Sequence, residues 1–226
     1  MIFAPFFFIY LVLFFVAIAF LFAMIEIGII RYAFAQIGLP PEAAFLALVA
    51  SLIGSYINIP IYRLEGGEAH PAEVVNYYGV RYRLPVRYAS NASNSTMLAV
   101  NVGGALVPML IVMYLLSHRP AIFGPAMIAT AVVAFVANRF ARPIPGLGIA
   151  MPMFIPPITA AIAAYLLSPN NPSAVAYISG VMGTLIGADI ANLHKLKTLG
   201  APVASIGGAG TFDGIFLTGI VAVLLA

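Results

Sequence analysis

Long apolar runs separated by short polar stretches dominate the sequence. They predict helices over residues 3–26, 42–62, 97–116, 121–136, 145–167, 173–193 and 202–226, each long enough to cross a membrane or nearly so. No strong pattern of short alternating strands runs through the chain, so helices are favoured over a barrel. We therefore predict an all-α protein, a polytopic transmembrane helical bundle of about six or seven spans. Residues 1–226 would form one integral membrane domain.

Composition supports this class of protein. Apolar residues make up 63% of the chain, charged residues 8%, and the mean hydropathy is +1.07. A soluble domain carries about a quarter charged residues. The absence of cysteine excludes disulfides, thiolate metal sites and thiol nucleophiles. Membrane lipid is the expected partner and nucleic acid is not, because the positive net charge is better explained by topology. The oligomeric state does not follow from the sequence.

The longest polar stretch, residues 63–96, is predicted to be a cytoplasmic loop inserted between spans two and three. Within it, "VRYRLPV" alternates apolar and basic positions, and "YYG" comes directly before it. This alternation predicts a short hairpin that lies on the cytoplasmic surface.

Basic residues divide unequally between the two sets of predicted loops. The opposite loops hold only Arg31 and Arg119, whereas the loops on the side of residues 63–96 hold Arg63, Arg81, Arg83, Arg87, Arg139, Arg142, Lys195 and Lys197. Since basic loops stay in the cytoplasm, we predict a multi-pass protein of the cell membrane with a cytoplasmic N-terminus. With seven spans, the C-terminus would lie outside.

Three polar residues fall at one predicted depth. Asn58 lies near the end of the second helix, Asn101 near the start of the third, and Asp189 near the end of the sixth. At 1.5 Å per residue, all three lie about 6–9 Å inside the cytoplasmic boundary of the membrane. Three segments would thus present oxygen-bearing side chains at one level.

Asp213 follows a glycine-rich stretch, "SIGGAGTFDG", in the last apolar segment. Glycines in succession favour irregular or extended backbone over helix, and such backbone is tolerated at membrane depth where it lines a cavity. A bend there, with the helix starting near Thr211 or Phe212, would place Asp213 beside Asp189.

Two carboxylates and two carboxamides suit a hard divalent cation such as Mg²⁺, Mn²⁺ or Ca²⁺. We therefore expect a metal site in the inner leaflet, made of Asp189, Asp213, Asn58 and Asn101. If the protein is an enzyme, Asp189 and Asp213 are the catalytic candidates, and a metal-dependent membrane hydrolase is the first hypothesis. An intramembrane aspartyl protease and an ion transporter are the alternatives.

A purely structural role is also open for these four side chains. Each asparagine could cap or bridge backbone near the end of a helix. Each aspartate could instead pair with a basic residue, for which the sequence offers Lys195, Lys197 and Arg139.

The segments "GADIANL", "APVASIGGAGTFDGIFLTGIVAVLL", "INIP" and "NVGGALVP" resemble a family of prokaryotic, largely archaeal, polytopic membrane proteins defined as a domain of unknown function. The resemblance covers most of the chain. It implies a helical membrane fold and acidic residues that hold a divalent metal, and on this pattern the site would be Asp189 and Asp213.

A looser, architectural likeness is to the intramembrane aspartyl proteases of the presenilin and signal-peptide-peptidase group, which place one aspartate on helix six and another in a Gly-x-Gly-Asp motif on helix seven. Asp189 and Asp213 fall on the corresponding segments. The sequence departs from that pattern because "GAGTFD" has two additional residues before the aspartate and Ala188 stands where the group has tyrosine. A fold-level likeness alone does not assign a function.

Overall fold

The computed structural model describes residues 5–65, 75–77, 80–82, 95–144, 148–196, 203–208 and 214–226. Most of these residues are helical. The α-helices are α1 (Pro5–Gln36), α2 (Pro41–Gly54), α3 (Val107–His118), α4 (Phe123–Phe140), α5 (Ile155–Leu167), α6 (Pro172–Thr184), α7 (Leu193–Leu196) and α8 (Gly214–Leu225).

Two of these helices are extended by π-helical turns. The turn Val102–Leu106 leads into α3, and the turn Leu185–Asp189 continues α6. A 3₁₀ turn, Ile190–Asn192, then joins α6 to α7, and another, Pro120–Ile122, precedes α4. Single π-turns inside helices are rare and occur frequently at functional sites.

Short strands complete the described fold: β1 (Asn58–Glu65), β2 (Val75–Tyr77), β3 (Val80–Tyr82), β4 (Ser95–Asn101), β5 (Arg142–Ile144), β6 (Gly148–Ala150) and β7 (Val203–Ile206). The largest sheet has the order β1-β4-β7, with β4 antiparallel to β1 and parallel to β7. The strands β2 and β3 pair as an antiparallel hairpin, as the sequence predicted for this loop, and β5 pairs with β6. The fold is therefore mostly helical rather than all-α.

Among the described residues, three helical stretches are long and apolar enough to cross a membrane, by length and composition: Val12–Gln36, Pro120–Phe140 and Pro172–Leu196. Four further apolar helices are shorter: Pro41–Gly54, Val102–His118, Ile155–Leu167 and Gly214–Leu225. At 1.5 Å per residue the shorter helices extend about 18–26 Å, less than the ~30 Å thickness of a hydrocarbon core.

The helix α6 lies at the centre of the bundle, packed against α4, α5 and α8. Small residues permit the close contacts. A Cβ atom on Gly183 would lie 2.5 Å from the Cβ of Val133 in α4, and one on Gly219 in α8 would lie 2.9 Å from the ring of Tyr177. Glycine at these positions therefore lets the three helices approach one another closely.

In contrast, α1 packs against the other helices through its C-terminal end. Phe34 is fully buried there and meets Phe216 of α8 edge to face, with ring centroids 6.4 Å apart. Its apolar side chains from Val12 to Ile29 are exposed wherever they are described. A helix that is apolar on all sides and unburied is suited to lipid rather than to water.

Four predicted helices are partly strand in the structure. The segment 42–62 stops being helical at Gly54 and continues as β1, and segment 97–116 begins as β4. Segment 145–167 contains β6 before α5 starts at Ile155, and the described part of segment 202–226 begins as β7. The sequence of β1, "NIPIYRLE", explains the first change. Pro60 interrupts a helix, and the β-branched and aromatic residues around it favour a strand. The predicted loop 63–96 thus begins and ends within strands.

Candidate functional site

Asn58 and Asn101 meet as the last residue pair of the antiparallel β1–β4 ladder. The Asn101 Nδ2 donates to the Asn58 Oδ1 at 3.0 Å and to the Ser55 carbonyl at 2.7 Å. The Asn101 Oδ1 accepts from the Gly104 amide at 2.8 Å, which caps the π-turn Val102–Leu106. Asn101 is 1% exposed, whereas Asn58 is exposed. The sequence placed both residues at one depth on helices, and the structure brings them together on strands.

Ser205 joins this pair from the third strand. Its Oγ donates to the Asn58 Oδ1 at 2.5 Å, so the Asn58 oxygen accepts from both Asn101 and Ser205. Ser205 was not among the predicted site residues. A serine two positions before the first glycine of a glycine-rich bend was the available signal, but serine is too common in such bends to be singled out.

The residues Gly207 and Gly208, here called the glycine turn, follow β7. Gly207 has a φ of +69°, which favours glycine, and its position against the π-turn leaves no room for a side chain. A Cβ atom there would lie 2.6 Å from the Cβ of Ala105. Gly208 lies over Ser205 and Asn101, since a Cβ atom on it would lie 3.1 Å from the Cβ of Asn101. In the described residues 203–208, the irregular or extended backbone that the sequence predicted is therefore a strand followed by a tight turn.

Asp189, the last residue of the second π-turn, contacts this turn directly. Its Oδ2 accepts a hydrogen bond from the Gly207 amide at 3.1 Å, and the side chain is partly buried. Asp189 of the sixth predicted segment thus contacts Gly207 near the start of the seventh predicted segment. A hydrogen bond to an ionised carboxylate is among the stronger kinds.

Asp213, the second predicted carboxylate, lies outside the described residues, one position before α8. Asp189 and Asn101 lie against the same glycine turn, and Asn58 contacts Ser205 just before it. Within the described ranges, no three side chains of the His, Asp and Glu types lie together as a metal-binding group. The predicted metal set therefore stays a prediction.

The side-chain oxygens at this site differ in how well they could bind a cation. Both polar atoms of Asn101 have protein partners, and the residue is buried, which favours a role in holding β1, β4 and the π-turn together. Asn58 is exposed, but its Oδ1 already accepts two hydrogen bonds. Asp189 brings a carboxylate to this junction, and a negatively charged carboxylate is a better ligand for a hard divalent cation than a neutral carboxamide. Asp189 is therefore a more suitable cation ligand than Asn58 or Asn101.

The fold and the site define a mostly helical, strongly apolar protein in which a polar junction of strands and π-turns lies at one end of the helices. The chain belongs to the family described as "Protein of unknown function (DUF1614)", whose sequence pattern matches residues 52–225. The matched part includes Asn58, Asn101, Asp189 and Asp213 and excludes α1. No curated protein and no solved structure matches the chain.

Proposed function

We propose that this protein is an integral membrane protein that binds a divalent cation through Asp189 and Asp213 at the inner end of its helices. The observation that carries the proposal is the hydrogen bond from the Gly207 amide to Asp189. It joins the Asp189 carboxylate to the glycine turn, from which the chain leads through Asp213 into α8. Two carboxylates would neutralise the charge of an Mg²⁺, Mn²⁺ or Ca²⁺ ion.

Helix packing also supports the meeting of the two carboxylates. Gly180 of α6 faces Thr218 and Ala222 of α8, and Tyr177 faces Gly219. We infer that the two helices run antiparallel, because β7 and the glycine turn, which precede α8 in the chain, lie beside the C-terminal end of α6. Counting four residues from each member of the Gly180–Thr218 contact then brings Thr184 level with Gly214, about one and a half turns of helix from Asp189.

The asparagines have different roles in this proposal. Asn58 is exposed, and its side-chain oxygen is available to a cation if Ser205 turns its hydroxyl away. Asn101 holds the strand ends and the π-turn in place, and its Oδ1 has a second acceptor position that a cation could use only by entering a buried space. We therefore propose Asp189 and Asp213 as the principal ligands, with Asn58 beside them and Asn101 as their support.

Hydrolysis is the chemistry that such a site would serve. A bound divalent ion activates water as a nucleophile and polarises a carbonyl or phosphoryl oxygen. The protein's own contribution would be to hold two carboxylates at fixed positions beside a polar surface of strands. We propose a metal-dependent membrane hydrolase on this basis, with Asp189 and Asp213 as its catalytic residues.

Binding of Mn²⁺ to the purified protein in detergent, measured by electron paramagnetic resonance, tests the cation site. Asp189→Asn and Asp213→Asn should each weaken binding by more than about 100-fold, because even residues that only support a ligand cost 10–100-fold when replaced. The matched control is Glu42→Gln, an exposed carboxylate in the first turn of α2, at the far end of that helix from Asn58. Equal Mn²⁺ affinity in all three variants would refute the proposal.

Ion transport is a second candidate function, favoured by the interrupted helices. The helices α2, α3, α5 and α8 are shorter than a membrane span. One π-turn begins directly after Asn101 and leads into α3, and the other ends at Asp189 and breaks the regular spacing after α6. Transporters place broken helices of this kind around ion sites. Cation uptake into liposomes that disappears in Asp213→Asn would favour transport, whereas uptake that is absent from the wild-type protein would leave hydrolysis as the function of the site.

We further propose a multi-pass arrangement in the cell membrane with the N-terminus in the cytoplasm, supported by the unequal distribution of basic residues. The cysteine-free chain allows single-cysteine labelling in intact cells. Asn170→Cys, in the exposed connection between α5 and α6, should react with a membrane-impermeant maleimide, and Arg142→Cys, in β5, should react only after lysis. The reverse pattern would invert the topology.

A further inference from the structure

The helix that carries Asp189 changes its hydrogen-bond spacing at that residue. On the N-terminal side, the Ile190 amide donates to the Leu185 and Ile186 carbonyls, five and four residues back. On the C-terminal side, the Leu193 amide donates to the Ile190 carbonyl, three residues back. A change from π to 3₁₀ spacing leaves carbonyls between the two turns in need of other donors. Those carbonyls belong to Gly187 and Ala188.

The side chain of Asn192 satisfies both carbonyls. Its Nδ2 donates to the Gly187 oxygen at 3.0 Å and to the Ala188 oxygen at 2.9 Å, and the residue is fully buried. The orientation of its amide follows from the partners, since carbonyls only accept hydrogen bonds and an ammonium group only donates them. Lys195 Nζ donates to the Asn192 Oδ1 at 2.6 Å, which fixes the other side of the amide.

A second asparagine supports the same turn from a neighbouring helix. Asn138 of α4 donates from its Nδ2 to the Gly187 oxygen at 3.2 Å. Close contact makes this bond possible, because Gly187 lies against the Ala134 carbonyl with no space for a side chain between them. The turn immediately before Asp189 is thus held by α4 and by its own chain.

We propose that Asn192, oriented by Lys195 and assisted by Asn138, positions the Asp189 carboxylate for its contact with Gly207. Without these donors, the helix would relax toward regular α spacing in order to satisfy its carbonyls. Such a change rotates every later side chain about the helix axis. The rotation is a large part of the roughly 100° that separates consecutive residues of a helix. Asp189 would then turn away from the glycine turn. Asn192 is a positioning residue in this scheme, and its effect on cation binding rests on the proposed function.

Asn192→Leu tests the proposal, since leucine has the same branched arrangement of side-chain heavy atoms and removes the hydrogen-bond donors. In protein labelled with ¹⁵N-glycine and kept free of metal, we expect hydrogen exchange of the Gly207 amide to become at least about 10-fold faster, because its acceptor is displaced. The Gly219 amide in α8 serves as an internal reference and should not change. Mn²⁺ affinity should fall about 10–100-fold, as is typical when a residue that supports a metal ligand is lost.

Asn170→Leu is the matched control, because Asn170 is an exposed asparagine in the connection before α6. It should leave both Gly207 exchange and Mn²⁺ affinity unchanged. Asn138→Leu, which removes one donor of the three, should give an intermediate acceleration at Gly207. It also carries the test if Asn192→Leu does not fold.

Unchanged Gly207 exchange in a folded Asn192→Leu or Asn138→Leu protein would overturn the proposal. Equal acceleration at Gly207 and Gly219 would overturn it as well, since that result means general destabilisation. Failure of the wild-type protein to bind Mn²⁺ would refute only the proposed function, because the exchange measurement needs no metal.

Discussion

Replacing Gly207 with alanine tests whether the glycine turn holds the site together. The backbone at Gly207 has a φ of +69°, where an L-residue costs about 1–2 kcal/mol more than glycine. The new Cβ atom would also lie 2.6 Å from the Cβ of Ala105 and 2.8 Å from its backbone nitrogen. Overpacking of this kind costs about 1–3 kcal/mol. Gly207→Ala should therefore lower the free energy of unfolding by about 2–5 kcal/mol.

Thermal unfolding in detergent, followed by circular dichroism, measures this loss. For a chain of this length, 1 kcal/mol corresponds to about 2–4 °C in Tm, so the expected decrease is about 4–20 °C. Gly124→Ala in α4 is the matched control, because a Cβ atom at Gly124 meets nothing within 4 Å. That variant should keep or slightly raise the Tm, since alanine is the better helix former.

A second substitution separates the two causes of the loss. Ala105→Gly removes the Cβ–Cβ contact but leaves the backbone strain at position 207. The double variant Gly207→Ala with Ala105→Gly should therefore recover part of the Tm lost in Gly207→Ala alone. If Gly207→Ala unfolds at the same temperature as Gly124→Ala, the turn is not constrained as described, and the reasoning from φ and contact distance is refuted.

Three further substitutions test the packing and polar contacts by the same unfolding measurement. Tyr177→Phe should raise stability by about 1–2 kcal/mol, because the buried hydroxyl finds no partner in the described structure and loses its hydration on folding; a decrease would contradict this. Gly187→Ala should cost at least about 2 kcal/mol, since its Cβ would collide with the Ala134 carbonyl of α4, and an unchanged Tm would refute that close approach. Asn101→Leu should cost about 2–4 kcal/mol through three lost hydrogen bonds, and a loss below about 1 kcal/mol would assign Asn101 no supporting role.

Helix positions followed well from the sequence where apolar runs had clear ends. The predicted segment 121–136 corresponds to α4, and 173–193 corresponds to α6 with the turns that continue it. Pro120 and Pro172 mark both starts, because proline is favoured in the first turn of a helix. The interior of the second stretch could not be predicted in the same way. A single π-turn is too short to produce a recurring pattern of apolar residues. The buried Asn192 is the residue that indicates where the helix departs from regular α-helical spacing.

The strands β1 and β4 were not predicted, because a strand with apolar residues on both faces resembles a short helix in its pattern. Residues of β1 such as Ile59 and Ile61 are exposed in the isolated chain. The sequence of β1 therefore does not alternate between apolar residues for a buried face and polar residues for an exposed face. What the sequence did contain was the sudden appearance of Asn58 and Asn101 at the edges of apolar runs. Counting residues along helices therefore placed them at one depth, although they meet through strand pairing.

The presence of a sheet at the site has a physical explanation. A helix satisfies its own backbone except at its ends, so the interior of a helix could not offer a backbone amide to Asp189 as Gly207 does. The turn after β7 frees the Gly207 amide, and the end of α2 frees the Ser55 carbonyl, so that both meet side chains. In an apolar protein these freed groups are costly unless each is paired, and the asparagines and Asp189 pair them here. Asn58, Asn101 and Asp189 therefore have structural partners whether or not an ion binds, and the two carboxylates are the groups on which the cation proposal depends.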